Sequence, residues 1–201
     1  MDKDSTVYQR VEKLSEGYSI SIESTLQMGF NQLRKAPGIF IIYSFIAIIA
    51  LSNPLTGIVL GGSILVGYYL FIRHLRTGKD LDIGIFFHGF YKFVPLLILN
   101  LLMAIMIAIG FFLFIIPGIY LTISYLFTHL FVCFYNIPPA DALTLSRKMV
   151  KGNFIQILYL CLILLGINIL GVLALGVGVL LTIPFSACVI YAAFDDIIGI
   201  T

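Results

Sequence analysis

Three stretches of this chain carry no Asp, Glu, Lys or Arg: Ala36 to Ile72, Phe93 to Ala140 and Gly152 to Phe194, of 37, 48 and 43 residues. A straight helix of 37 residues would be about 55 Å long, whereas the hydrocarbon core of a bilayer is about 30 Å thick. Tilt does not absorb an excess of that size. Each run therefore reads as two spans joined by a tight turn, which gives six transmembrane helices. Pro117-Gly118 lies near the middle of the second run and is expected to mark its reversal, since proline removes an amide donor and glycine accepts backbone angles other residues avoid. Ser52-Asn53-Pro54 holds the corresponding place in the first run, and the glycine-rich stretch Gly171 through Gly178 in the third. The competing reading is a proline kink within one long helix. The length argument does not depend on the proline and favours the hairpin.

Composition agrees, with 60% hydrophobic and 11% charged residues, against about one quarter charged in a soluble domain. Residues 1–18 mix Asp2, Lys3, Asp4, Arg10, Glu12, Lys13 and Glu16 and lack the apolar core of a signal peptide. They are expected to form a polar cytoplasmic tail, frayed or loosely packed, ahead of a single integral membrane domain at 19–201. Cys133, Cys161 and Cys188 fall inside apolar spans and read as small packing residues, with neither a disulfide framework nor a metal site.

The twelve Lys and Arg residues sit in three places. Lys3, Arg10, Lys13, Arg34 and Lys35 precede the first run; Arg73, Arg76, Lys79 and Lys92 separate the first from the second; Arg147, Lys148 and Lys151 separate the second from the third. With six spans, every basic segment lies on one side of the bilayer and every uncharged turn on the other. The positive-inside rule then puts both termini and both long loops in the cytoplasm. A net charge of +2 argues against nucleic-acid binding. Basic residues beside a membrane either hold anionic lipid headgroups, at about 1 kcal/mol each, or only fix orientation.

A short amphipathic segment precedes each run. In the first, Ile22, Leu26, Phe30 and Leu33 form a helical stripe opposite Glu23, Gln27, Asn31 and Arg34; in the second the stripe is Ile83, Phe86, Phe87, Phe90 and Val94; in the third it is Ala142, Leu145 and Met149, with Asp141 as N-cap. These helices are expected either in the cytoplasmic interface against lipid or packed on the ends of the bundle. The fold class is therefore all-α: a polytopic six-helix bundle made of three repeats, 19–75, 80–136 and 138–195, each an interfacial helix followed by a transmembrane hairpin. Phe30, Phe90 and Val150 hold comparable places, and GGSILVGYYLF (61–71) resembles GIYLTISYLF (118–127), with Gly61 and Gly67 answering Gly118 and Ser124.

Few side chains within the spans carry chemistry. Asn100, His129 and Asn168 are the candidate intramembrane polar site, although helix pairing is the commoner role of such groups. Gly57, Gly61, Gly62 and Gly67 form a small-residue face for a close helix neighbour. Asp80, Asp82, His74 and His88 read as a loose loop, not a metal site, and Asp195 and Asp196 as capping or solvating groups at the last helix end. Enzyme motifs are missing and no cofactor is expected. No Asp, Glu, Lys or Arg lies well inside a span, which counts against ion-coupled transport.

IIPGIYLTISYLF, DALTLSRKMVKGNF and GVGVLLTIPF together resemble the bacterial YciC-like membrane proteins of unknown function. They also resemble the membrane domain that precedes the catalytic domain in some glycerophosphodiester phosphodiesterases. The likeness covers about Gly57 to Asp195, and its most specific parts are Pro117-Gly118 and the pattern Ala142-Leu143, Ser146, Lys151-Gly152. It implies a six-span fold without an activity, since the catalytic domain would need far more chain. The leading expectation is a non-catalytic bacterial inner-membrane protein that engages anionic phospholipid or a protein partner, another copy of itself included. Arg34, Lys35, Arg73, Arg76, Lys92, Arg147, Lys148 and Lys151 are expected to carry this role. The alternatives are a small transporter or flippase for an apolar or amphipathic substrate, and an immunity protein against a membrane-active toxin.

Overall fold

Lys35 ends an amphipathic helix, Pro37 begins an apolar one, and the chain bends by 92° between them. Proline suits the first turn of the second helix because no amide donor is needed there. The computed structural model describes residues 3–78, 82–174 and 176–199, which are helical apart from short connections, with no strand among them. The helices are α1 (Lys3–Leu14), α2 (Ile22–Lys35), α3 (Pro37–Ala50), α4 (Pro54–Arg76), the 3-10 helix η1 (Ile83–Lys92), α5 (Phe93–Leu113), α6 (Ile115–Ser124), α7 (Thr128–Tyr135), α8 (Pro139–Gly152), α9 (Phe154–Leu173) and α10 (Val179–Ile198). Five helical stretches are long and apolar enough to cross a membrane, or six when the bent pair α2 and α3 counts as one. This is the expected polytopic helical bundle.

The second reversal is not at Pro117-Gly118 but at Phe114, whose extended backbone (φ −163°, ψ 157°) separates α5 from α6. Pro117 lies instead in the first turn of the return helix, where its missing amide costs nothing. Gly118 lets the arms close on each other: an added Cβ there would lie 2.5 Å from the Phe111 ring, and one on Gly110 would lie 3.1 Å from the Gly118 Cα. The first turn follows a similar plan, with Pro54 opening α4 and the Asn53 side chain accepting from the Leu55 amide at 2.9 Å. In the third turn Gly176 takes φ +73°, and a Cβ on Gly178 would lie 2.7 Å from the Gly171 carbonyl oxygen.

The return arms form the inner layer. Half or more of the apolar window is buried in α4 (50%), α6 with α7 (56%) and α10 (50%), against 17% for the span containing α5 and 22% for α9. Packing runs in one cyclic order. Helix η1 packs on α4, α8 on α6 and α7, and α2 on α10, while α4 also meets α5, α6 meets α9 and α10 meets α3. Each short helix thus docks on the return arm of the preceding hairpin, and the last hairpin closes back onto the first. A heterologous contact repeated with the right rotation closes a ring in this way.

The three joints are built from small groups. Gly89 of η1 sits where a Cβ would press on the Ser63 carbonyl oxygen and lie 3.0 Å from the Gly67 amide, while Gly29 of α2 sits where one would lie 3.1 Å from the Val189 backbone. In the joint between α8 and α6, the Ser146 hydroxyl donates to the Ser124 carbonyl at 2.7 Å and accepts from the Phe127 amide at 3.2 Å. Those groups lie at the break between α6 and α7, where the ladder is interrupted, so Ser146 satisfies backbone that would otherwise be buried unpaired. Replacing Ser146 with alanine is expected to lower stability by about 1–3 kcal/mol, the penalty for orphaning buried polar groups. Thermal unfolding in detergent measures it.

Two of the three short helices depart from the stripes that periodicity predicts, η1 most and α2 at Phe30. In α2 the buried residues are Thr25, Gly29, Gln32 and Leu33, while Phe30 is half exposed, because the close approach to α10 selects the glycine and not the bulkiest side chain. Helix η1 is a 3-10 helix, whose three-residue repeat aligns Phe86 with Gly89 on the face against α4. Phe86 enters an aromatic cluster, 3.8 Å from the Tyr43 ring and 4.2 Å from that of Phe71, and Ile83, Phe87, Phe90 and Val94 stay exposed. Gly29, Gly89 and Met149, each one residue before Phe30, Phe90 and Val150 and in the same 60-residue register, are all buried, while Phe30 and Phe90 are exposed and Val150 is buried. In α8 the stripe Ala142, Leu145 and Met149 is buried as expected. Pro138 holds the N-cap position there, and Asp141 instead accepts from the Tyr8 hydroxyl at 3.1 Å.

That hydrogen bond also corrects the expectation of a loose N-terminal tail. Helix α1 buries Val7 and Val11 and packs across α8; Glu12 pairs with Lys148 at 2.6 Å, and Arg10 donates to the Ile198 carbonyl. A Cβ on Gly152 would press on the Leu14 carbonyl oxygen, so the end of α8 needs glycine there. Burial raises the pKa of the Tyr18 phenol, whose hydroxyl has no hydrogen-bond partner among the described residues.

Candidate functional site

The eight basic residues singled out from the sequence share one end of the bundle but do not form one patch. Arg76 pairs with Asp195, and Lys148 with Glu12. Arg34 lies over the Phe30 ring at 5.6 Å, and Arg147 over the Tyr125 ring at 6.0 Å, also donating to the Tyr125 hydroxyl at 3.4 Å. Lys35 and Lys151 are exposed. Arg73 and Lys92 are brought together, and the space between them is a cavity.

This cavity has a volume of about 630 Å³ and opens between the last turns of α4, the helix η1 and α7. The joint of Gly67 and Gly89 makes it, because it fixes η1 beside α4 just where α4 becomes polar. Val66, Leu70 and Ile85 supply apolar walls, and Arg73, His88 and Lys92 supply polar ones, joined by His74, Asp82, Tyr91, Thr77 and Cys133. His74, Asp82 and His88, read from the sequence as a loose loop, thus line one cavity; Asp80 lies outside the described residues. Among the described residues no cluster of His, Cys, Asp and Glu could hold a metal ion.

The two cations differ in what their donors do. The Lys92 ammonium donates to the carbonyls of Val132 (3.1 Å) and Cys133 (2.6 Å) and to Asn136 Oδ1. It therefore caps the C-terminal end of α7, where carbonyls lack helical partners and the dipole favours positive charge. Asn136 ends that helix in the left-handed region at φ 54°. All three ammonium donors are spent, and Lys92 contributes charge, but no free donor, to the cavity. Arg73 lies over the Phe134 ring at 5.4 Å and, among the described residues, donates no hydrogen bond. Its five N–H groups suit the oxygens of a phosphate or carboxylate. Asp82, the acidic group in the wall, accepts from the Gly84 amide at 2.8 Å as the cap of η1.

The intramembrane polar residues split into two separate pairs. Asn100 and His129 meet: Asn100 Nδ2 donates to the Ile58 carbonyl at 2.9 Å, which leaves Asn100 Oδ1 to accept from His129 Nε2, also at 2.9 Å. Three helices, α4, α5 and α7, are tied by this network. Gly62 makes room for it, since a Cβ would lie 3.0 Å from the Asn100 amide nitrogen. Asn168 stands apart, donating to the Leu164 carbonyl and to Ser186 Oγ, both at 2.8 Å, within the third hairpin. Gly62 and Gly67 serve close contacts as the small-residue face predicts, whereas a Cβ on Gly57 would meet nothing within 4 Å.

Sequence reasoning missed His74, His88, Tyr91 and Cys133 as companions of Arg73. The available signal was the run of polar residues on both sides of one loop; what it lacked was the docking of η1 that folds the two sides together. Compared with family models, with curated proteins and with solved structures, the chain gives no match.

Proposed function

We propose that this is a non-catalytic membrane protein that holds the anionic headgroup of a phospholipid at its basic end. The single observation that carries the reading is Arg73, a guanidinium that donates no hydrogen bond among the described residues and lines a cavity with an apolar wall of Val66, Leu70 and Ile85 and a polar one that includes Lys92 and His88. A phospholipid has this same division: a phosphate for Arg73, and acyl carbon for Val66, Leu70 and Ile85. The neighbouring ammonium of Lys92 adds positive potential without competing for the ligand's oxygens. On the positive-inside argument the basic end and both termini face the cytoplasm, and the resemblance to YciC-like proteins would place the chain in a bacterial inner membrane. The transporter reading draws no support from the intramembrane polar groups, which are spent on hydrogen bonds within the bundle, and no specific observation favours an immunity role.

Native mass spectrometry of protein released gently from its own membrane tests the proposal. Retained anionic phospholipid is expected. Replacing Arg73 with glutamine is expected to lower that retention about tenfold, equivalent to about 1.4 kcal/mol, while Arg34→Gln leaves it unchanged. A lipid-free wild-type protein, or equal retention by the Arg73 variant, would sink the assignment.

A further inference from the structure

The cavity that contains Arg73 also contains a carboxylate, and the order of its lining narrows the ligand. Along α4, Val66, Leu70, Arg73 and Thr77 recur at the three- and four-residue spacing of one helix face, which passes from apolar to cationic to hydroxyl-bearing. Helix η1 runs antiparallel beside it. Gly89 lies against Ser63 and Phe86 against Gly67, where added Cβ atoms on the two glycines would press on the facing carbonyl oxygens. Asp82, four residues before Phe86, is therefore about 8 Å farther along at the 3-10 rise of about 2 Å per residue. Arg73, six residues after Gly67, is about 9 Å farther along α4. The carboxylate and the guanidinium thus share the polar end of the cavity, with Val66 and Leu70 toward the other.

One oxygen of Asp82 has a fixed partner and the other does not. Oδ1 accepts from the Gly84 amide at 2.8 Å, whereas among the described residues Oδ2 accepts no hydrogen bond and the carboxylate forms no ion pair. A carboxylate beside a phosphate site repels the ligand unless the ligand brings it a donor. The repulsion is greater for a phosphate monoester, which carries more negative charge, than for a diester. A volume of about 630 Å³ lies within the range of about 300–1,000 Å³ for sites that enclose a whole small molecule, so a bare phosphate would leave much of it unfilled. We infer that the phospholipid held here is a phosphodiester whose headgroup ends in hydroxyls, a glycerol or another polyol. The phosphate sits on Arg73, and a headgroup hydroxyl donates to Asp82 Oδ2. An ammonium headgroup would also satisfy Asp82, but it cancels the net negative charge that draws the lipid to Arg73 and Lys92. The inference rests on the reading of this cavity as a headgroup site and adds the class of headgroup.

The test offers the detergent-solubilised protein phosphatidylglycerol, phosphatidic acid and phosphatidylethanolamine of one acyl composition and reads their retention by native mass spectrometry. The wild type is expected to retain phosphatidylglycerol about tenfold better than either of the others. Asp82→Asn keeps an acceptor for the Gly84 amide, so the cap of η1 survives. It is expected to bring phosphatidylglycerol and phosphatidic acid within about twofold of each other, because the repulsion and the charged acceptor are lost together. The ratio is read and not the total, so a destabilised fold does not imitate this result. Arg73→Gln should lower retention of both. A wild type that retains phosphatidic acid as well as phosphatidylglycerol overturns the polyol assignment and leaves the headgroup reading standing; one that retains no anionic lipid removes both. Equal retention of phosphatidylethanolamine, or a phosphatidylglycerol preference that survives Asp82→Asn, also overturns the assignment. Soluble glycerophosphoglycerol, the same headgroup without acyl chains, is expected to raise the Tm far less than the lipid does. An equal rise would assign the site to a free polyol phosphodiester and overturn its assignment to lipid.

Discussion

Replacing Gly89 with alanine is expected to cost about 3 kcal/mol and to lower the apparent Tm by about 10 °C, the upper part of the range for overpacking a core. The added methyl would press on the Ser63 carbonyl oxygen and lie 3.0 Å from the Gly67 amide nitrogen. Both are backbone atoms of a buried helix, so neither can rotate away as the end of a side chain would. Relief would require η1 to lift off α4, pulling Phe86 from between the Tyr43 and Phe71 rings. Gly57→Ala is the matched control, because a Cβ there would meet nothing within 4 Å. It should leave the Tm unchanged or raise it, by up to about 1 kcal/mol of helix propensity. Thermal unfolding of both variants in one detergent makes the comparison, and equal Tm values would remove the backbone joint as the cause.

That contrast marks the limit of what the sequence reveals. Span number, the sidedness of charge and the short helix before each hairpin follow from hydropathy and periodicity, which act locally. Gly89 lies among the aromatic residues of η1 and Gly57 near the start of α4, and nothing in either setting tells which one meets a partner backbone. The turn at Phe114 was hidden for a similar reason: proline signals the first turn of a helix as well as a reversal, and three residues decide between them. Helix α1 was hidden by its charges, although Val7, Val11 and Leu14 carry the helical spacing of a buried stripe. At the basic end, the list of cations was legible but their roles were not. Whether a lysine binds a ligand or caps a helix depends on carbonyls 40 and 41 residues away in the chain.

The division of labour between Arg73 and Lys92 is accordingly the sharpest test of the site. Lys92→Met strips a charged donor from the Val132 and Cys133 carbonyls and from Asn136, and is expected to cost about 2 kcal/mol, in the range for hydrogen bonds to charged groups. Arg73→Gln gives up only a contact with the Phe134 ring and should cost no more than about 1 kcal/mol. Lipid binding should respond in the opposite order. A ligand that binds only the folded state raises the Tm as its concentration rises, so anionic phospholipid added to detergent-solubilised wild-type protein should raise the Tm. The Lys92 variant should begin lower and keep most of that rise. The Arg73 variant should begin near the wild type and lose it. If the rise disappears with Lys92 and survives the loss of Arg73, the ammonium is the ligand-binding group, and its three acceptors only hold it in place.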